Sequence, residues 1–487
     1  MAPLNTSTGI VRGGAAGVTA AVVSAGAQFL LVVAVTRGLD PHAAGVLFTT
    51  TALCLMTATV LRLDTGNGLI YFLARSDGPG ARLDGYLTVA LAPVLALSAT
   101  VAVVVYGCAD GIGHLLLPGS PSAPATLRVL AVALPVITCA DVLVAATRGF
   151  GTMRPTVLLG GVLQPGGQLV LVGVVALTGV TDRLLAAAWA LPYLPVLILG
   201  ALWLRHHARV AAWSRPVAGE FWRYTAPRAV GGAVQAVFQR LDIVIVAVLA
   251  GAEQAAVYTA ATRFKVAGQL VGQGLAQAVQ PGLVRALADG DLPRARELYQ
   301  TATVWLVVLT WPIWLGYAAL APWLTSLFGE EYRLGTAVAL VLSATMTAAT
   351  AAGMVDVVLI AAGHTTASMA NVLIAITVTV AVDLVLIPSH GALGAALGWS
   401  TGVLTKNLLP LIHLSRVYHL RPFGRHTLPA LRATGRHAPR PFVRRTTATP
   451  RTLVRRTTTA PRTSRPLRRR VTRTLGALVR HPWKDGR

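Results

Sequence analysis

Apolar residues run along this chain in long blocks rather than alternating with polar ones. A bilayer core takes ~20 apolar residues per helix. Twelve blocks meet that length, near 14–36, 43–74, 85–107, 127–147, 157–179, 184–204, 226–250, 255–283, 299–321, 335–360, 367–388 and 392–413. The pattern predicts an all-α polytopic membrane protein of about twelve transmembrane helices. Basic residues in the short connections set its orientation. One set of connections holds Arg75, Arg82, Arg148, Arg154, Arg205, Arg209, Arg215, Arg223, Arg285, Arg294 and Arg296, and the opposite set little beyond Arg37, Arg183 and Arg333. The sets alternate as twelve crossings require, so both termini are expected on the cytoplasmic side of the plasma membrane. The first block is too long for a signal-peptide core and reads as an uncleaved span.

The longest internal basic connection, 205–225, divides the chain into six-helix lobes at 1–204 and 226–414, followed by a tail at 415–487. A weak echo supports the division: "LDPHAAGVLF" after the first span resembles "AGAEQAAVYT" after the seventh.

Composition agrees with the pattern. Hydrophobic residues make up 54% of the chain and charged residues 12%, about half the usual share of a soluble domain. The cysteines Cys54, Cys108 and Cys139 have neither metal-site nor disulfide spacing. No nucleophile–base pair, phosphate-cradling glycine loop, metal cluster or nucleotide-binding domain is legible, so neither an enzyme nor an ATP-driven pump is expected, and no cofactor.

Ionisable residues inside apolar spans are costly, about 2.5–3.5 kcal/mol each on an insertion scale, and usually face a bundle interior or a wet cavity. In span seven Arg228, Gln235, Gln239 and Asp242 recur at helical spacing on one face, and span eight repeats the pattern with Lys265, Gln269, Gln273 and Gln277. The two spans are joined by a tight turn near Gly251–Gln254. Counting back from that turn, Arg240 and Asp242 lie about as deep as Arg263 and Lys265, three cations and one acid at one level. If Asp242 pairs with one cation, two remain, and a guanidinium pair suits phosphate oxygens because each donates a bidentate fork. The competing reading is a salt-bridge network that only locks the two helices. Weaker cavity or gating candidates are Asp356, Lys406 and Pro165, the last set between glycine pairs where it should kink span five. Asp141 and Asp383 read as structural.

Three stretches carry a family resemblance. "AVTRGLDPHAAGVLF" (34–48), "YTAPRAVGGAVQAVFQRLDIVIVAVLAGAEQAAVYTAATRF" (224–264) and "LAPWLTSLFGEEYRLG" (320–335) resemble bacterial polysaccharide flippases, within the superfamily that also holds multidrug-extrusion antiporters. The resemblance covers about residues 10–413. It implies two six-helix lobes around a central cavity that opens alternately to each side. It also implies a polyprenyl-diphosphate-linked oligosaccharide as substrate, carried from inner to outer leaflet for surface polysaccharide such as O-antigen. A polysaccharide polymerase or glycosyltransferases would be its partners. In that role Arg240, Arg263 and Lys265 would hold the diphosphate, Asp242 would orient them, and Gln235, Gln239 and Gln269 would line the sugar path. The rivals are a drug or cation antiporter of the same superfamily, which would need acids that the first span lacks, and a non-transporting membrane scaffold.

The tail holds 19 arginines and one lysine against the single acid Asp485, and so carries +19 of the formal +24. It contains a tandem repeat, "FVRRTTATPRT" (442–452) and "LVRRTTTAPRT" (453–463). Arginine, threonine and proline at this density cannot build a core, so disorder is expected. Anionic headgroups are nearer than any nucleic acid and contribute about 1 kcal/mol per basic residue at the surface. The closing "VTRTLGALVRHPW" suits an interfacial helix. A peptide of the tail alone is therefore expected to bind vesicles of anionic lipid at low salt and to detach as salt rises. Binding that ignores salt would argue against electrostatic tethering.

Overall fold

The computed structural model describes residues 6–75, 81–178, 182–206, 213–425 and 427–434. They fold as helices throughout: α1 (Thr6–Gly38), α2 (Pro41–Leu61), α3 (Thr65–Arg75), α4 (Ala81–Gly107), α5 (Ala109–Leu116) and α6 (Ala123–Gly149). A π-helical stretch (Thr156–Leu163) leads into α7 (Gln164–Thr178), α8 (Asp182–Ala190) and α9 (Tyr193–Arg205). There follow α10 (Arg215–Thr262), α11 (Lys265–Ala288), α12 (Leu292–Ala319), α13 (Ala321–Ser326), α14 (Gly335–Ala351), α15 (Val355–Ala361), α16 (Thr365–Val417) and α17 (Thr427–Thr434). No strand occurs among the described residues.

Ten helical segments are long and apolar enough to cross a membrane. Two features separate that number from the twelve apolar runs. The runs 367–388 and 392–413 are the two arms of α16, and the eighth run is divided between the end of α10 and the glutamine-rich α11. Large apolar side chains such as Leu177, Val103 and Val385 stand 86, 73 and 72% exposed on the outside of the bundle, as lipid-facing residues do.

Glycine makes both reversals. Gly251 in α10 and Gly391 in α16 have φ of 88° and 53°, a region closed to most side chains. Past Gly391 the chain folds directly back on itself. A side chain on Gly394 would strike the Leu386 carbonyl, one on Gly398 the Asp383 carboxylate, and one on Gly402 the Thr379 hydroxyl. Glycines four apart lie on one face, so the two arms of α16 approach backbone to backbone, as small residues permit inside a bilayer.

The same device joins the two halves of the chain. Asp40 caps α2 by accepting from the Ala43 amide at 3.1 Å, with Pro41 opening the helix. One turn later Gly45 meets the backbone of Ala252 so closely that any Cβ would overlap its carbonyl. Beside this crossing Phe29, Phe264 and Phe328 form a triangle with ring centroids 5.2–5.9 Å apart. The Arg37 guanidinium donates to the carbonyls of Leu327 and Ser326, both at 2.8 Å.

Two boundaries and one kink differ from those the sequence suggests. The helix expected from 226 begins at Arg215, because Phe221 is buried against Phe72 and Tyr86 and Tyr224 stacks on Tyr71. An aromatic dock of that kind has no period to reveal it. The start of the tail, expected disordered from 415, is held in place: Leu420 is fully buried, and Arg296 and Gln300 donate to the carbonyls of His419 and Arg421. The tandem repeat and terminal amphipathic segment lie outside the described residues. In span five, Pro165 follows a π-helical stretch in which the Gln164 amide reaches back to the Leu159 carbonyl, so the irregularity falls before the proline as well as at it.

Replacing Gly45 with valine should force α2 off α10 and lower the thermal midpoint of the detergent-purified protein, at a cost of about 1–3 kcal/mol or more. Gly26, with open space around it, should accept alanine with a change within about 0.5 kcal/mol.

Candidate functional site

A cavity of about 470 Å³ lies between the first and second halves of the chain. One wall is cationic. Arg240 projects from α10, and Arg263 stands at the break between α10 and α11. The facing wall is built from amides and aromatics of the first half: Gln28 of α1, Gln164 and Gln168 of α7, Trp189 of α8 and Tyr193 of α9. These are knitted together. Gln28 and Gln164 both donate to the Gln168 side-chain carbonyl, at 3.0 and 2.9 Å. Gln164 also donates to the Tyr193 hydroxyl at 3.2 Å, and Gln168 to the Trp189 carbonyl at 3.0 Å. Phe29, Phe48 and Val35 line the cavity towards the Gly45–Ala252 crossing, so the aromatic triangle closes that end.

No aspartate or glutamate lines this cavity among the described residues. Neither Arg240 nor Arg263 has a carboxylate within ion-pair distance there, and the buried Arg263 Nε has no hydrogen-bond partner. Two unneutralised guanidiniums beside neutral hydrogen-bonding groups make a site that favours an anion with a polar, ring-containing appendage. Nothing in it is arranged as a nucleophile with a base, and no metal-binding cluster of three His, Cys, Asp or Glu occurs among the described residues.

The four charges expected at one level divide between two faces of the hairpin. Arg240 and Arg263 face the cavity, whereas Asp242 and Lys265 face away from it into the second half of the chain. Lys265 Nζ lies 3.7 Å from Asp242 Oδ2 and 4.3 Å above the ring of Trp399. The Tyr258 hydroxyl donates to the same carboxylate at 2.7 Å, and the Ile243 amide donates to its other oxygen at 2.9 Å. Asp242 thus neutralises Lys265 and leaves the arginines free. A short separation in sequence is enough for the division, because positions 240 and 242 stand about 200° apart around a helix.

The remaining expected residues fall elsewhere. Gln239 and Gln269 are exposed and Gln235 is half-buried, none of them lining the cavity. Asp356 accepts from the Ser368 hydroxyl at 2.6 Å, and Lys406 lies 5.8 Å from the centroid of Phe238. Pro165 is buried between the two glutamines of α7 that face the cavity. The amide wall carries no charge, so ionisable residues in apolar spans do not point to it. Its signal is present: Gln28 is the one amide in α1, and Gln164 and Gln168 sit four apart in an otherwise apolar run.

Lys265→Met should destabilise the protein by about 3–5 kcal/mol, because it leaves the Asp242 carboxylate buried without its cation. Adding Asp242→Asn should restore most of that loss in thermal unfolding. Equal losses in the single and double variants would show that the pair is not what holds this face.

No curated protein matches the chain at a significant level. Several solved structures share its fold. A multidrug-resistance MATE-family transporter of the MOP superfamily, in an inward-facing conformation, aligns with 85% of this chain and 96% of its own at TM-score 0.65 and 18% identity. The lipid II flippase MurJ, in an inward closed conformation, aligns with 89% and 94% at TM-score 0.67 and 11% identity. A MOP-superfamily transporter from Pyrococcus furiosus, described as having a binding pocket of reversed polarity, aligns with 84% and 95% at TM-score 0.60 and 17% identity. A family model described as "Polysaccharide biosynthesis protein" matches residues 34–334, more than half of the chain. This multi-pass helical protein therefore has the fold of the MOP-superfamily transporters and belongs to the polysaccharide biosynthesis protein family.

Proposed function

We propose that the chain is a flippase that carries a polyprenyl-diphosphate-linked oligosaccharide from the inner to the outer leaflet of the plasma membrane. The observation that carries this reading is the pair Arg240 and Arg263, directed into one cavity with no carboxylate beside them among the described residues. A diphosphate supplies the missing negative charge and can accept both guanidinium forks. Gln28, Gln164, Tyr193 and Trp189 then face the sugar, amides towards its hydroxyls and ring faces towards its C–H surface. The polyprenyl chain stays in lipid, so the cavity has only the headgroup to hold. No bond is made or broken.

Transport in this scheme is alternating access between lobes at 1–204 and 226–414, joined by the cytoplasmic linker 205–225. With both termini in the cytoplasm, the Gly45–Ala252 crossing, the aromatic triangle and the Arg37 bonds close the outer end. Opening outward separates these contacts, none of which is covalent or a buried ion pair. Polymerase or glycosyltransferase partners would supply and consume the lipid-linked glycan. The antiporter reading is disfavoured because no acid lines the cavity among the described residues to hold a cationic drug or coupling ion.

Each guanidinium contributes charge-assisted hydrogen bonds of about 1.5–3 kcal/mol. Arg240→Ala or Arg263→Ala should therefore lower surface-polymer export by about one to two orders of magnitude, and the double variant should abolish it. Arg263→Lys keeps the charge but loses the fork and should fall between. Immunoblotting of membranes checks that each variant is inserted; normal export from the inserted double variant would overturn the proposal.

A further inference from the structure

A second cavity, of about 120 Å³, lies closer to the cytoplasmic ends of the helices. It is polar, and the central site does not account for it. Its charged lining comes from Arg62 and Asp64 at the junction of α2 and α3, and from Asp141 and Arg148 of α6. It has room for several waters or a small anion.

Its position is what gives it meaning. On α2, Thr51 and Leu55 line the central cavity, and Thr59 and Arg62 line this one. On α10, Arg240 and Ile243 line the central cavity, and Ala229 and Gly232 line this one. Steps of three and four residues along α2, and of three and eleven along α10, keep each set near one helix face. The two cavities thus lie one beyond the other beside α2 and α10, about eight to eleven residues or ~12–16 Å apart at 1.5 Å per residue.

Its charge is uneven. Arg62 pairs with Asp141 at 3.2 Å, and Arg228 of α10 pairs with Asp64 at 2.9 Å. Arg148 shares the cavity and has no carboxylate within ion-pair distance among the described residues. An arginine in the last turn of a helix complements the dipole whichever way it points. This one lines a cavity that already holds a second guanidinium. The backbone commits itself to the arrangement, since Leu63 and Asp64 both take left-handed conformations, with φ of 50° and 53°. Asp64 is fixed there by the Asn67 side-chain amide, which donates to it at 2.6 Å. With Asp64 held by Asn67 and Arg228, and Asp141 engaged by Arg62, the carboxylates are occupied and Arg148 is left to bind.

We infer that Arg148 and Arg62 form an inner anion station, which takes the diphosphate of the lipid-linked substrate before it passes along α2 and α10 to Arg240 and Arg263. The inference rests on the flippase reading for its ligand and adds a separate site to it. At the station the diphosphate binds Arg148 and competes with Asp141 for Arg62. Asp141 then reclaims Arg62 when the headgroup moves on, so the station does not retain what it receives.

The test is titration of the full-length purified protein with inorganic pyrophosphate at fixed ionic strength, followed by flipping of a polyprenyl-diphosphate lipid in proteoliposomes. Wild type should bind pyrophosphate at two sites. Arg148→Gln orphans no carboxylate and should fold normally; it should remove or weaken the inner site by about tenfold or more while the other persists. Arg240→Gln with Arg263→Gln should do the converse. In proteoliposomes, Arg148→Gln should raise the half-saturating lipid concentration with the maximal rate retained, and Arg148→Lys should recover most of the loss. A single site controlled by Arg240 and Arg263 alone, or flipping by Arg148→Gln indistinguishable from wild type at every lipid concentration, would overturn the station and leave the central site standing. Pyrophosphate binding that depends on Arg148 and not on Arg240 and Arg263 would instead refute the central site.

Discussion

A charge held at mid-membrane depth must be paired or hydrated, because the hydrocarbon around it offers neither partner nor water. The hairpin of α10 and α11 brings three cations to that depth and one carboxylate with them. Asp242 can neutralise one cation, and the geometry gives it Lys265, seated above Trp399 and supported by the Tyr258 hydroxyl. That choice settles the fate of the other two. Arg240 and Arg263 are left to a cavity, and the cavity has to be lined by groups that tolerate water. The amides of Gln28, Gln164 and Gln168 on the opposite wall meet that need without adding a charge that would cancel the arginines.

The packing around the cavity follows a different rule on each side of it. Towards one end, glycine and aromatic residues bring the halves into direct contact: Gly45 on Ala252, Phe29 on Phe264 and Phe328. Such contacts rely on close approach and dispersion, which can be broken and remade without stranding a charge. Towards the other end the same helices carry arginines and aspartates whose pairs, Arg62–Asp141 and Arg228–Asp64, are partly exposed and therefore exchangeable. Under the proposed flippase function, the seal at one end would part to release the headgroup and the exchangeable polar contacts at the other would admit it. The second half of the chain, by contrast, is tied within itself by the glycine-lined arms of α16, where any added Cβ at Gly398 would meet Asp383.

Much of the fold was legible because the bilayer imposes a length and a polarity on every crossing. The apolar runs, the basic bias of alternate connections and the reversal near Gly251 follow from those demands, and each is a local property of a stretch of chain. That Arg240, Asp242, Arg263 and Lys265 share one level of the hairpin was legible because rise along a helix is fixed at about 1.5 Å per residue, and Lys265 meets Asp242 there while both arginines reach one cavity. The helix start at Arg215 and the anchoring of Leu420 were not, because each depends on a distant pocket that happens to accept one side chain.

Depth is one coordinate, and rotation about the helix axis is another. The glutamine ladder of α11 and the Gln235–Gln239 face suggested a sugar path, yet Gln239 and Gln269 lie on exposed surface while the cavity takes its amides from α1 and α7. Periodicity shows that polar residues share a face but not what the face looks at, which depends on the neighbouring helices. By itself the sequence determined that this chain crosses a membrane many times and gathers three cations and one acid at one level of a hairpin, because both follow from composition and from distance along single helices. Only the tertiary structure decided which cation Asp242 neutralises, which walls meet across the cavity and that a second polar cavity lies beside the same two helices. Those outcomes are set by how helices far apart in sequence rotate and pack against one another.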